Sequence, residues 1–139
     1  MDYNQIEIDF IDRTIEIMNS YNSKNQVTLL LNCCLGLIVL PKERHFNKIP
    51  DKNIPENGIL WGISRKNVTV DCEDCGYNLR SVIRRIRNGL CHFKIESIPD
   101  EKNQIDKLVI KDRGKFKVEL TINELKELAL SFANKILKP

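Results

Sequence analysis

The stretch NLRSVIRRIRNGLCH, residues 78–92, carries two patterns at once. Leu79, Ile83, Ile86 and Leu90 fall within about 60° of one another at ~100° per residue, which predicts a helix over Asn78–Cys91 with one apolar face in a core. Arg80, Arg84 and Arg87 fall on a neighbouring stripe, and Arg85 adds a fourth cation. Between Cys75 and His92 there are four arginines and no acid. A helix that needed only solubility would mix signs, as residues 123–135 do. Gly89 marks a point near the end where the helix can distort or stop.

Upstream, Ile8, Ile11, Ile15 and Met18 recur at helical spacing, with Phe10 and Ile17 as a second stripe. They predict a helix over residues 2–21 that touches neighbours on two sides. A turn is expected at 20–25. Residues 26–40 are apolar almost all round, so the second helix belongs at the centre of a bundle, and Pro41 ends it. Residues 41–77 hold three prolines and three glycines and read as irregular. Trp61 is expected to plug this segment onto the core, and its length suggests a short helix or a functional flap. Downstream, 93–98 reads as a short strand. Residues 107–111 and 115–121 alternate as a hairpin, with Gly114 free to take positive φ at its turn. Thr121 and Glu124 have capping-box spacing, and Ile122, Leu125, Ala129, Phe132 and Ile136 form the stripe of a last helix. The expected architecture is one domain over 1–139: mostly α, an antiparallel helical bundle with a small β-hairpin inserted before the C-terminal helix.

A chain of 139 residues, 42% hydrophobic and 29% charged, is long enough for one core and too apolar for a disordered protein. Net charge is only +3, so any nucleic-acid site must come from local clustering. The N-terminus lacks a basic leader, and the apolar run 27–40 is shorter than the ~18 residues of a membrane span. Five cysteines, an odd number, point to free thiols in a reducing cytoplasm. Cys72 and Cys75 form a lone C-x-x-C without the partners a zinc ion needs, so they read as ordinary thiols and no metal site is expected. His45 reads as a surface histidine.

Arginine offers planar, permanently charged donors for phosphate oxygens, and histidine gives and takes protons near neutrality. His92 is therefore a candidate to exchange a proton with the 2′-OH or the leaving 5′-oxygen of RNA. Arg87 would neutralise charge on the phosphorane, with Asn88 in support. Arg80, Arg84 and Arg85 are candidates for RNA binding through phosphate steering, or else a solvated face. The plainer reading is a helix C-terminus whose cations complement the macrodipole. Arg87 and His92 point ~140° apart on a straight helix. A shared site thus needs either a deformation at Gly89 or two copies of the chain.

RNGLCH, 87–92, resembles the R-x4-6-H motif of the HEPN superfamily (higher eukaryotes and prokaryotes nucleotide-binding), including the polar residue, Asn88, directly after the arginine. The order of helices, the second ending in Leu40–Pro41, is similar too. The hairpin before the last helix looks like the small plasmid-encoded branch. The resemblance implies a homodimer whose two motifs meet in a cleft. It also implies metal-independent, cofactor-free RNA cleavage leaving a 2′,3′-cyclic phosphate, in toxin–antitoxin or phage-defence settings with an antitoxin protein as possible partner. Some members bind without cutting. A non-catalytic RNA- or nucleotide-binding module, and a regulatory dimer held by a protein partner, are therefore the alternatives.

Overall fold

The computed structural model describes residues 3–20, 26–41, 43–71, 76–102 and 105–138. The helices are α1 (Tyr3–Ser20), α2 (Gln26–Cys34), α3 (Glu43–Phe46), α4 (Leu79–Cys91) and α5 (Ile122–Phe132). The strands are β1 (Val68–Thr69), β2 (Ile95–Pro99), β3 (Ile105–Lys111) and β4 (Lys117–Thr121). Two helices run on as π-helical turns, α2 through Leu35–Val39 and α5 through Ala133–Leu137. The turn expected after Ser20 and the Cys72/Cys75 pair lie outside the described residues.

α4 forms where its periodicity places it. Asn78 caps it, accepting a hydrogen bond from the Ser81 N–H at 3.2 Å, which satisfies one of the orphan donors of the first turn. Leu79, Ile83, Ile86 and Leu90 are all buried, with Val82 beside them. α2 and its π turn lie between α1, α4 and α5, as an all-round apolar helix must. Within that turn, Gly36 accepts the Phe10 ring: a Cβ there would lie 2.8 Å from Phe10 Cζ. The Thr121–Glu124 capping box opens α5, with bonds of 3.1 and 2.8 Å. Gly114 takes φ 70° in the β3–β4 turn.

The β content is larger than the expected hairpin, and the fold is mixed α/β rather than mostly α. A four-stranded antiparallel sheet, in the order β1-β4-β3-β2, precedes the last helix. The hairpin is its centre, pairing Leu108 with Leu120 and Ile110 with Val118. β2 adds on one edge, and Val68–Thr69, from the segment read as irregular, adds on the other. Two residues are too few to show a period of two, so β1 is set by its partner strand rather than by local pattern.

The described part of 41–77 is built into the core, and Phe46, Ile49, Ile54 and Ile63 from it are fully buried. Trp61 plugs inward as expected, 7% exposed, at φ 54°. The segment is tied to the start of α4 by backbone bonds Ile54 N–H to Tyr77 C=O (2.8 Å) and Leu79 N–H to Lys52 C=O (2.9 Å). His45 is not on the surface. It is 8% exposed, its Nε2 lies 3.5 Å from the Glu7 carboxylate, and among the described residues neither ring nitrogen has a hydrogen-bond partner. α3 turns it inward beside Phe46, a placement that no local charge pattern signals. Among the described residues no helix is long and apolar enough to cross a membrane.

Candidate functional site

α4 carries its polar side chains on two flanks, one to either side of the buried face. At ~100° per residue, Arg80, Arg84 and Arg87 share one flank and Arg85, Asn88 and His92 the other. The helix runs unbroken through Gly89. That glycine serves close packing instead: a Cβ would lie 2.4 Å from the Lys111 carbonyl oxygen of β3. The angular separation of Arg87 and His92 therefore stands within one chain, and the structure does not bring the two together.

On the first flank every arginine has a partner. Arg80 donates twice to the Ile49 carbonyl, at 2.9 and 2.7 Å. Arg84 pairs with Glu43 and donates to Asn47 Oδ1 at 2.8 Å. Arg87 donates to Glu43 Oε2 at 2.7 Å, its guanidinium 4.3 Å from the centroid of the Phe46 ring. The hydrogen bond from Arg87 holds the Glu43 carboxyl below the usual carboxylate range. Desolvation opposes the shift, and the charges of Arg87 and Arg84 reinforce it.

The second flank faces the β3–β4 turn. Arg85 donates to Asp112 at 3.1 Å, to Asp71 at 3.0 Å and to the Arg113 carbonyl, and stacks over Phe116 at 4.3 Å. Burial acts to raise the Asp112 carboxyl. Hydrogen bonds from the Arg113 backbone and the Arg85 and Asn88 side chains outweigh it, and the group lies below its ordinary value. Asp71 is lowered as well, first by the Lys115 N–H and then by Arg85. Asn88 thus belongs to this second cluster and not to Arg87.

His92 ends α4. Its N–H donates to the Asn88 carbonyl at 3.0 Å, while its side chain is exposed. It lines an open hollow of about 350 Å³ with Asn88, Lys94, Asp112 and Arg113. An exposed imidazole beside two cations can exchange a proton with a hydroxyl next to a phosphate, and the cations can hold the phosphate. Lys94, Arg113, Asp112 and Glu43 carried no signal of this role in the sequence. AspArgGlyLys reads as turn chemistry, and Glu43 stands far from the motif along the chain.

Cys33 and Cys34 are buried. Burial, and then the neighbouring Cys33, push the Cys34 thiol up to about 12. Cys91 is exposed. Among the described residues, no three His, Cys, Asp or Glu side chains gather as a metal site would require.

An arginine and a histidine with four residues between them stand late in an amphipathic helix packed between other helices and an antiparallel sheet, a layout in keeping with a HEPN domain. Residues 1–139 match the family described as HEPN pEK499 p136, and the chain belongs to that family of plasmid-encoded HEPN domains. No match is found among curated proteins or among solved structures.

Proposed function

We propose that the protein is a metal-independent RNA endonuclease acting as a homodimer, with Arg87 and His92 of the two copies forming a composite site. The observation that carries this reading is the division of labour on α4. Arg87 is anchored on one flank and His92 is exposed on the other, so a phosphate meets both only where a second copy supplies one of them. His92 takes the proton of the 2′-OH as it attacks the adjacent phosphorus, or protonates the departing 5′-oxygen. The products are a 2′,3′-cyclic phosphate and a 5′-hydroxyl. Arg87 neutralises charge on the phosphorane. Asn88, bonded to Asp112, shapes the floor beside His92. Arg80, whose partner is an uncharged carbonyl, acts on RNA through its field, and Arg84 and Arg85 bind phosphate by exchanging it for Glu43, Asp71 or Asp112. A toxin or phage-defence role in the cytoplasm, restrained by an antitoxin protein, follows as part of the same proposal.

The test is RNA cleavage in EDTA by wild type, Arg87→Ala and His92→Ala, with product ends identified. Cyclic phosphate ends from wild type alone are expected. Salt-sensitive RNA binding with no cleavage would favour the non-catalytic binding module. An absence of RNA affinity would favour the regulatory dimer.

A further inference from the structure

The chain turns sharply after His92, and Phe93 makes the turn at φ 52°. The Lys94 N–H donates to the Gly89 carbonyl at 2.8 Å and the Phe93 N–H to the Leu90 carbonyl at 3.2 Å. These are the two bonds of a Schellman cap, with Phe93 at the left-handed position. Glycine is the residue that fits there, because a side chain on Cβ crowds the neighbouring carbonyl, and a bulky one is an outlier. The cap alone therefore does not call for phenylalanine.

Packing does not call for it either. The ring is 68% exposed, so it fills no part of the core. A side chain that is disfavoured by its backbone and unrewarded by burial points to a role outside the chain. Its neighbours say what. Phe93 stands between His92 and Lys94, which line the hollow shared with Asn88, Asp112 and Arg113. An exposed aromatic ring flanked in the chain by a histidine and a lysine at the rim of such a hollow matches the means by which proteins hold single-stranded nucleic acid: cations on the phosphates, a base stacked on the ring. The chain neighbours of the ring are charged or titratable, whereas the centre of a protein–protein contact gathers apolar groups.

We infer that Phe93 is a base-stacking residue that seats a nucleobase of single-stranded RNA beside the phosphate presented to His92. It acts through positioning, not chemistry, and the inference rests on the reading of His92 as the nuclease site. The stacked base would flank the scissile bond, so its identity contributes to cleavage preference.

The experiment compares full-length wild type, Phe93→Gly and Phe93→Tyr. Its readouts are thermal midpoint, sedimentation velocity, affinity for a fluorescein-labelled single-stranded RNA, and cleavage KM and kcat. Phe93→Gly is expected to melt no lower than wild type, since it relieves the left-handed position. It is expected to sediment as wild type, to bind the RNA about tenfold more weakly, and to raise KM more than it lowers kcat. Phe93→Tyr keeps the ring and is expected to bind within about twofold of wild type. Unchanged RNA affinity in Phe93→Gly would overturn the inference. So would loss of self-association that accounts for the weaker binding, because the ring would then belong to an interface between copies. His92→Ala cleavage decides the underlying reading separately. If wild type binds RNA without cutting it, the binding arm still decides Phe93, and if wild type binds no RNA, both fall.

Discussion

Glu43 holds Arg87 in place from 44 residues away, at 2.7 Å, while the Phe46 ring supports the guanidinium at 4.3 Å. The same carboxylate takes Arg84. One short helix, α3, thus orients the motif arginine and also answers part of its charge. A phosphate arriving at Arg87 competes with Glu43 or shares the arginine with it.

Glu43→Gln should therefore strengthen RNA binding. It frees two guanidiniums, and the slope of log affinity against log salt should steepen by about one to two. Titrations at several salt concentrations measure this. An unchanged slope would mean that neither Arg84 nor Arg87 meets a phosphate.

The shared site can be tested by mixing. Arg87→Ala and His92→Ala should each lower cleavage ~100-fold or more. If one copy supplies the arginine and the other the histidine, exchanging subunits between the two inactive variants rebuilds one intact site. Recovery of activity on mixing is the expected result. Persistent inactivity, with exchange verified, would reject the cross-chain arrangement.

Acid should destabilise the protein through its carboxylates. Glu43, Asp71 and Asp112 all lie below their ordinary values in the folded chain. A depressed folded value means that the contribution is fully present above the unfolded value. It is lost as pH falls through the folded one. The thermal midpoint should be flat near neutrality and drop below about pH 4. Asp112→Asn should weaken the fold at neutral pH and flatten the acid limb. An acid limb as steep as wild type would place the titration elsewhere.

Gly89→Ala should cost about 1–3 kcal/mol in denaturant unfolding, because the added methyl meets the β3 backbone and forces a shift. The contact is with Lys111 and Ile110, directly behind the end of α4, so His92 moves with it and cleavage falls too. A neutral effect on stability would mean that the helix and sheet part easily here.

Native thiol labelling should separate the described cysteines. Cys91 is exposed, whereas Cys33 and Cys34 are buried and Cys34 is pushed up to about 12. Iodoacetamide should modify Cys91 first, and reach the other two only after unfolding. Peptide mapping reads the order.

Much of the fold is legible in sequence because it is local. The face of Leu79, Ile83, Ile86 and Leu90, the Thr121–Glu124 box and the Gly114 turn each follow from spacings of a few residues, and each is found where its spacing puts it. β1 is not local. Val68 and Thr69 are strand only because β4 offers an edge, and so a bundle with a hairpin becomes a mixed α/β fold. His45 is buried for a similar reason: α3 is too short to show a face, and its neighbours decide which way it turns.

The site divides the same way. The sequence by itself determined the R-x4-6-H spacing, the run of arginines without an acid, and the angle between Arg87 and His92, because helix geometry converts order into direction. Only the tertiary structure decided what those directions meet. Glu43, Asp71 and Asp112 come from distant segments to answer the arginines, and Arg113 comes to stand beside His92 and its chain neighbour Lys94. Charge acts through space, and a one-signed helix in sequence becomes a neutralised and oriented one once the chain folds around it.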